Sequence, residues 1–141
     1  MRLFEAKKLG TNGANNNAVR EVICDTLCMI SQVHLWHWQT KSYAAHMALG
    51  DYYAFLQTNV DLVAESFMGI GNDISVSGNK SIEDFKSIDE IISKIKEFNT
   101  NLKAVQSTLM GSSGGEMDTV ADLILAICSE TDKLLFLLTL D

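Results

Sequence analysis

Apolar residues recur in alternating steps of three and four along four stretches of this chain, the spacing that lines one face of an α-helix. The first stretch runs from Asn16 to Thr40 along Val19, Ile23, Thr26, Ile30, Val33 and His37, so the pattern carries a histidine to the edge of the core. The second runs from Ser42 to Gly69 along His46, Leu49, Tyr53, Leu56, Val60, Val63 and Phe67. Ser42 suits its N-cap and Gly69 its C-terminal stop. A third, Ser87 to Met110, follows Ile88, Ile91, Ile95, Phe98, Leu102, Val105 and Leu109. Gly111-Ser-Ser-Gly-Gly115 then breaks the chain before a fourth, Glu116 to Leu138, with Val120, Ile124, Ile127, Leu134 and Leu138 on its apolar side. This helix is apolar nearly all round and is expected to be buried on more than one face. Residues 1–14, with Gly10, Gly13 and nearby asparagines, read as a loose entry segment.

The four helices are of similar length, ~37 Å each, as a bundle requires if no apolar stripe is to overhang. The first and second are joined by a very short connection, and the third and fourth by a short one, so each pair is expected to form an antiparallel hairpin. The second and third are separated by residues 70–86, rich in Gly, Ser, Asn and Asp. Fully extended, that segment reaches ~56 Å, enough to travel the length of the bundle. A long crossover between the second and third helices is the ferritin-like connectivity, whereas an up-down-up-down bundle needs only a short turn there. The expected fold is therefore all-α: one ferritin-like four-helix bundle spanning residues 1–141.

Composition agrees with a single globular domain: of 141 residues, 47% are hydrophobic and 21% charged, and none is proline, the strongest helix breaker. The formal net charge of -7 argues against DNA or an anionic membrane as a partner. The only local basic excess, Arg2, Lys7 and Lys8, is too thin for a nucleic-acid arm. The apolar tail Leu134–Leu140 falls well short of the ~20 residues a membrane helix needs. Three cysteines, Cys24, Cys28 and Cys128, with no signal-peptide pattern, point to a reducing, cytoplasmic setting. Cys24 and Cys28 stand one helical turn apart but lack the second pair that completes a zinc site, so they read as small packing residues.

Chemistry concentrates between residues 34 and 65. His34, His37 and His46 are followed by Asp51, Asp61 and Glu65, and imidazole with carboxylate is a ligand set that suits iron and related divalent metals. His34 and His37 are one turn apart, as are Asp61 and Glu65. Taken singly, His34 reads as a surface or core-edge residue, and Trp36 and Trp38 as packing residues. At about 100° per residue, Asp51, Asp61 and Glu65 fall within about 80° of one another around the second helix. Asp51 and Glu65 are nevertheless ~21 Å apart along its axis, so one ion cannot touch both within one chain. Either the site is in two separate parts, or a second subunit brings one part to the other. Glu-x-x-His motifs of an intrachain di-iron centre do not occur, and the third and fourth helices contain no histidine.

The run His37-Trp38-Gln39, then His46, then Asp61-Leu-Val-Ala-Glu65 resembles the Dps miniferritins, DNA-binding proteins from starved cells. It also resembles small ferritin-like proteins of marine viral and metagenomic genomes, which share Leu35-Trp-His-Trp-Gln-Thr-Lys-Ser-Tyr43. The resemblance covers residues 19–69; the last two helices match only in length and pattern. It implies iron held at a two-fold interface, with His37 and His46 as ligands from one chain and Asp61 and Glu65 from its neighbour. It also implies ferrous iron passing electrons to peroxide or oxygen, and a homo-oligomer, a dimer at minimum and compatible with a closed shell. The chain departs from the family in four places. The stretch between His37 and His46 is shorter, and the aspartate expected four residues after His46 is Gly50, with Asp51 one place late. Ser66 follows Glu65 where the family usually has Arg, and there is no lysine-rich tail. The alternative is a non-catalytic ferritin-like scaffold or interaction protein whose metal site has decayed.

Overall fold

The computed structural model describes residues 2–75 and 80–140, with side chains from Gly13 onward except Ser113. Residues 76–79 of the expected crossover, Met1, and the side chains of Arg2, Lys7 and Lys8 lie outside the described residues. Four α-helices, α1 (Arg2–Gln39), α2 (Tyr43–Gly69), α3 (Ile88–Leu109) and α4 (Asp118–Leu138), enclose one apolar core. A single 3-10 turn, Ser112–Gly115, precedes α4, and the described residues contain no strand. None of the described helices is long and apolar enough to cross a membrane.

The start of α1 corrects the sequence reading. The helix is continuous from Arg2, so the residues read as a loose entry, up to Ala14, are helical. Gly10 and Gly13 cost about 1 kcal/mol each against alanine, which lowers helix stability without breaking the ladder, and no proline intervenes. The other ends follow their caps. Ser42 accepts from the Ala45 N–H at 3.1 Å, and Ser87 accepts from the Glu90 N–H at 3.1 Å. α2 ends at Gly69, as expected, and the left-handed residue that turns the chain follows two places on, Gly71, φ 100°.

The expected seams supply most of the core. Val19, Ile23, Val33, Leu49, Leu56, Val63, Phe67, Ile91, Ile95, Leu102, Ile124, Ile127 and Leu134 are all buried. Each large apolar side chain so removed from water contributes about 1.5–3 kcal/mol before entropy is counted. Several positions differ. Tyr52, not Tyr53, enters the core, where its hydroxyl shares a 2.7 Å hydrogen bond with Thr131 of α4. Burial pushes the Tyr52 phenol well above its usual range, so it is a permanent neutral hydroxyl. Trp38 is 66% exposed, whereas Trp36 is core. α4 is not covered all round, since Leu125 and Phe136 remain exposed.

The connection between α2 and α3 decides the topology. Arg20 pairs with Asp73 at 2.8 Å, and Lys80 pairs with Asp25. Gln32 donates to the Glu83 carbonyl and accepts the Glu83 N–H, at 2.8 and 2.7 Å. Gln39 accepts the Phe85 N–H at 2.7 Å and donates to Asp84 at 2.9 Å. Successive tie points on α1 thus climb from residue 20 to residue 39, about 28 Å of helix. The segment returns to the end where α2 began, and α3 runs parallel to α2. α1 packs on α2 and α3, and α4 on α2 and α3, leaving α2 and α3 diagonal.

Candidate functional site

α1 ends at Gln39 and α2 begins at Tyr43, so His37 lies in the last turn of one helix and His46 in the first turn of the next. The turn is too short for the rings to avoid each other. His37 Nδ1 lies 2.6 Å from the His46 carbonyl oxygen, and His46 Nδ1 lies 2.8 Å from the His37 carbonyl oxygen. A carbonyl only accepts, so each Nδ1 carries its proton and donates. In each neutral ring the other nitrogen, Nε2, is then a bare lone pair. The rings stack face to face, 3.8 Å between centroids and 14° between planes.

Further rings extend the stack. Tyr53 meets His37 edge-on at 5.4 Å, His34 lies flat on Tyr53 at 4.1 Å, and Trp38 covers His34 at 4.1 Å. All three histidines are therefore half-buried members of one aromatic cluster that ends at an exposed indole. Gly50 makes the cluster possible. A Cβ there would sit 2.8 Å from His37 Cε1 and 3.1 Å from its Nδ1, so the ring occupies the space that any larger residue would take. The place where a carboxylate was expected is filled by imidazole.

Asp61 and Glu65 stand one turn apart on the exposed face of α2. A hydrogen bond to Asp61, and then its charge, hold the Glu65 carboxyl above the usual glutamate range, which marks two acids close enough to share a proton. From His46 to Asp61 is about 22 Å along the helix. Asp51 is exposed and lies about 140° around α2 from His46. The structure thus brings His34, His37 and His46 together, and Asp61 with Glu65, but does not join the two sets or add Asp51 to either. Among the described residues no group of three or more His, Cys, Asp or Glu is placed to hold a metal ion within one chain.

Tyr53 and Gly50 are the participants that the sequence pattern does not single out. Tyr53 sits on the helical seam and reads as core. Gly50 reads as a lost ligand until the His37 ring is seen against it. The one signal in the sequence is the short spacing between His37 and His46, which forces the rings into the same space.

No curated protein and no solved structure matches the chain. A model described as a family of unknown function (DUF5856) matches residues 37–135, from the first histidine of the stacked pair almost to the end of α4. The matched stretch takes in His46, Gly50, Asp61 and Glu65 together with three of the four helices, and the chain belongs to that family.

Proposed function

We propose that the chain is a ferritin-like, Dps-related iron-binding protein whose site is completed by a second copy of itself. His37 and His46 come from one protomer, and Asp61 and Glu65 from the other. The observation that carries this reading is the reciprocal carbonyl lock on the two Nδ1 atoms. It fixes the tautomer with free Nε2 in both rings, the arrangement by which proteins present imidazole to a metal. The donor set fits: two imidazoles and two carboxylates suit Fe(II), and the crowding of negative charge that raises the Glu65 carboxyl beside Asp61 is what a cation would relieve. Ferrous iron is the substrate, giving up one electron to peroxide or oxygen.

Two further features support the pairing. An antiparallel crossing of two α2 helices centred between Tyr53 and Ala54 brings residue 46 of one level with residue 61 of the other. The outward stripe of α2 carries exposed Tyr43, Met47 and Met68, with small Ala54 between them, a surface suited to a second helix. The crossover running along α1 is the connectivity of ferritin-like bundles.

Anaerobic equilibrium dialysis against Fe(II), with the mass in solution measured in parallel, tests the reading. The wild type binds iron as a dimer or larger. His46→Ala and Asp61→Asn each lose the iron while staying folded, and a mixture of the two variants recovers part of it through sites built from intact halves. Iron retained by His46→Ala overturns the assignment. A second reading has its own observation: the His37–His46 bonds satisfy each other without any ion, so the corner works as a clamp in a non-catalytic scaffold. That reading requires no ferrous oxidation above the buffer rate.

A further inference from the structure

α1 carries a second pair of metal-ligating side chains that the histidine corner does not use. Cys24 and Cys28 stand one turn apart, and both are only half-buried, whereas Cys128 is in the core. The packing expected of Cys24 and Cys28 covers each only in part. Cys28 and Met29 line a cavity of about 220 Å³ between α1, α3 and the crossover, with the Asp25–Lys80 ion pair in the same wall. Burial, and then the neighbouring Cys24, push the Cys28 thiol above its usual range, while the Lys80 ammonium on the crossover opposes that rise.

Helical geometry limits what such a pair can do. Residues four apart on a helix hold their Cβ atoms about 5–6 Å apart. A disulfide needs about 3.5–4.5 Å, so the pair resists closing on itself without bending α1. An ion placed between the two sulfurs bridges the gap. Zinc takes four ligands in a structural site, and no third His, Cys, Asp or Glu joins the pair among the described residues. Asp25 is engaged by Lys80. What remains is soft sulfur in low number, the chemistry of a monovalent thiophilic metal.

We propose that Cys24 and Cys28 form a two-thiolate site for Cu(I), independent of the iron reading. Binding replaces two S–H protons by one metal, so Cu(I) and two thiols give a bis-thiolate complex of net charge -1 and release two protons. Lys80, although paired with Asp25, adds a positive charge to the same cavity wall, and Met29 lines that wall as well.

The test is an anaerobic titration of the reduced full chain with Cu(I) against a chromogenic Cu(I) chelator. The wild type takes one equivalent. Cys24→Ser and Cys28→Ser each weaken binding at least tenfold, and Cys128→Ser leaves it unchanged. Alkylation of the unmutated protein supplies a measurement that does not depend on variants folding: one equivalent of Cu(I) protects Cys24 and Cys28 together. Failure of the wild type to compete, full binding by Cys24→Ser, or alkylation of Cys24 and Cys28 undiminished by copper overturns the proposal. Loss of copper in His46→Ala also overturns it, by moving the metal to the imidazoles.

Discussion

The two helix hairpins of this bundle reverse direction by different chemistry. Between α3 and α4 the chain turns on backbone freedom: Gly111, Gly114 and Gly115 adopt φ of 73°, 69° and 86°, and Asp118 accepts the Gly111 N–H at 2.8 Å. Between α1 and α2 the turn Thr40-Lys41-Ser42 contains no glycine. There the helices are fastened by two imidazoles, each bonded to the other's backbone. A tight reversal therefore does not require histidine in this fold. The first corner contains more chemistry than turning demands, and the excess consists of groups that can ligate.

The largest effect that separates the corners comes from removing a ring. His37→Ala gives up one hydrogen bond and unstacks two rings, a loss of about 2 kcal/mol in urea unfolding. His46→Ala is expected to cost about the same. Because the two rings act as one unit, the double variant should lose about 1 kcal/mol less than the sum of the singles. Strict additivity would mean that the rings stabilise separately and that the corner is not a clamp.

Gly50→Ala sharpens the point, because it adds one carbon where His37 already lies. Overpacking of this kind costs about 1–3 kcal/mol, and the better helix propensity of alanine returns about 1 kcal/mol of it. The net expectation is a loss of about 0–2 kcal/mol in the wild type. In a His37→Ala background the obstruction is gone, so the same substitution should stabilise by about 1 kcal/mol. A sign that does not reverse would show that the ring is not what keeps position 50 small. At the other corner, Gly111→Ala forces a side chain into a left-handed backbone and should cost about 1 kcal/mol whatever stands at position 37.

The difference between the corners also explains what could be read from the chain. Helix positions and most of the core follow from a period of 3.6, because burial of one face is a repeating demand. Caps at Ser42 and Ser87 are equally local. The choice of Tyr52 over Tyr53 is not local: it depends on Thr131, far along the chain, offering a hydroxyl from α4. The climb of the crossover along α1 rests on Gln32 and Gln39, whose side chains look like ordinary surface amides until they pair with backbone at residues 83 and 85. The His37–His46 stack falls between these cases. Its members are visible as candidates, but their bonding partners are carbonyl oxygens, which carry no sequence signal. Likewise Gly50 cannot be told from a simple deletion of a carboxylate without the ring that fills its place.

The smallest expected effect lies at the far end of α2, where the acids contrast with the locked rings. Asp61 holds the Glu65 carboxyl above its usual range, so the folded chain keeps that proton to higher pH than the unfolded chain does. Where the folded state binds more protons, stability falls as pH rises. The window opens at the ordinary glutamate pKa and closes at the raised one; below it both states are protonated and the slope vanishes. Both groups are solvent-exposed, so thermal melts across this window should show only a slight decline. Asp61→Asn removes the neighbouring charge and should flatten the decline, while His46→Ala should leave it intact. An unchanged slope in Asp61→Asn would remove the coupled pair and with it the argument that these acids await a cation. If they do, loading with Fe(II) should reverse the slope without any substitution, because the metal-bound acids then hold fewer protons in the folded chain than in the unfolded one.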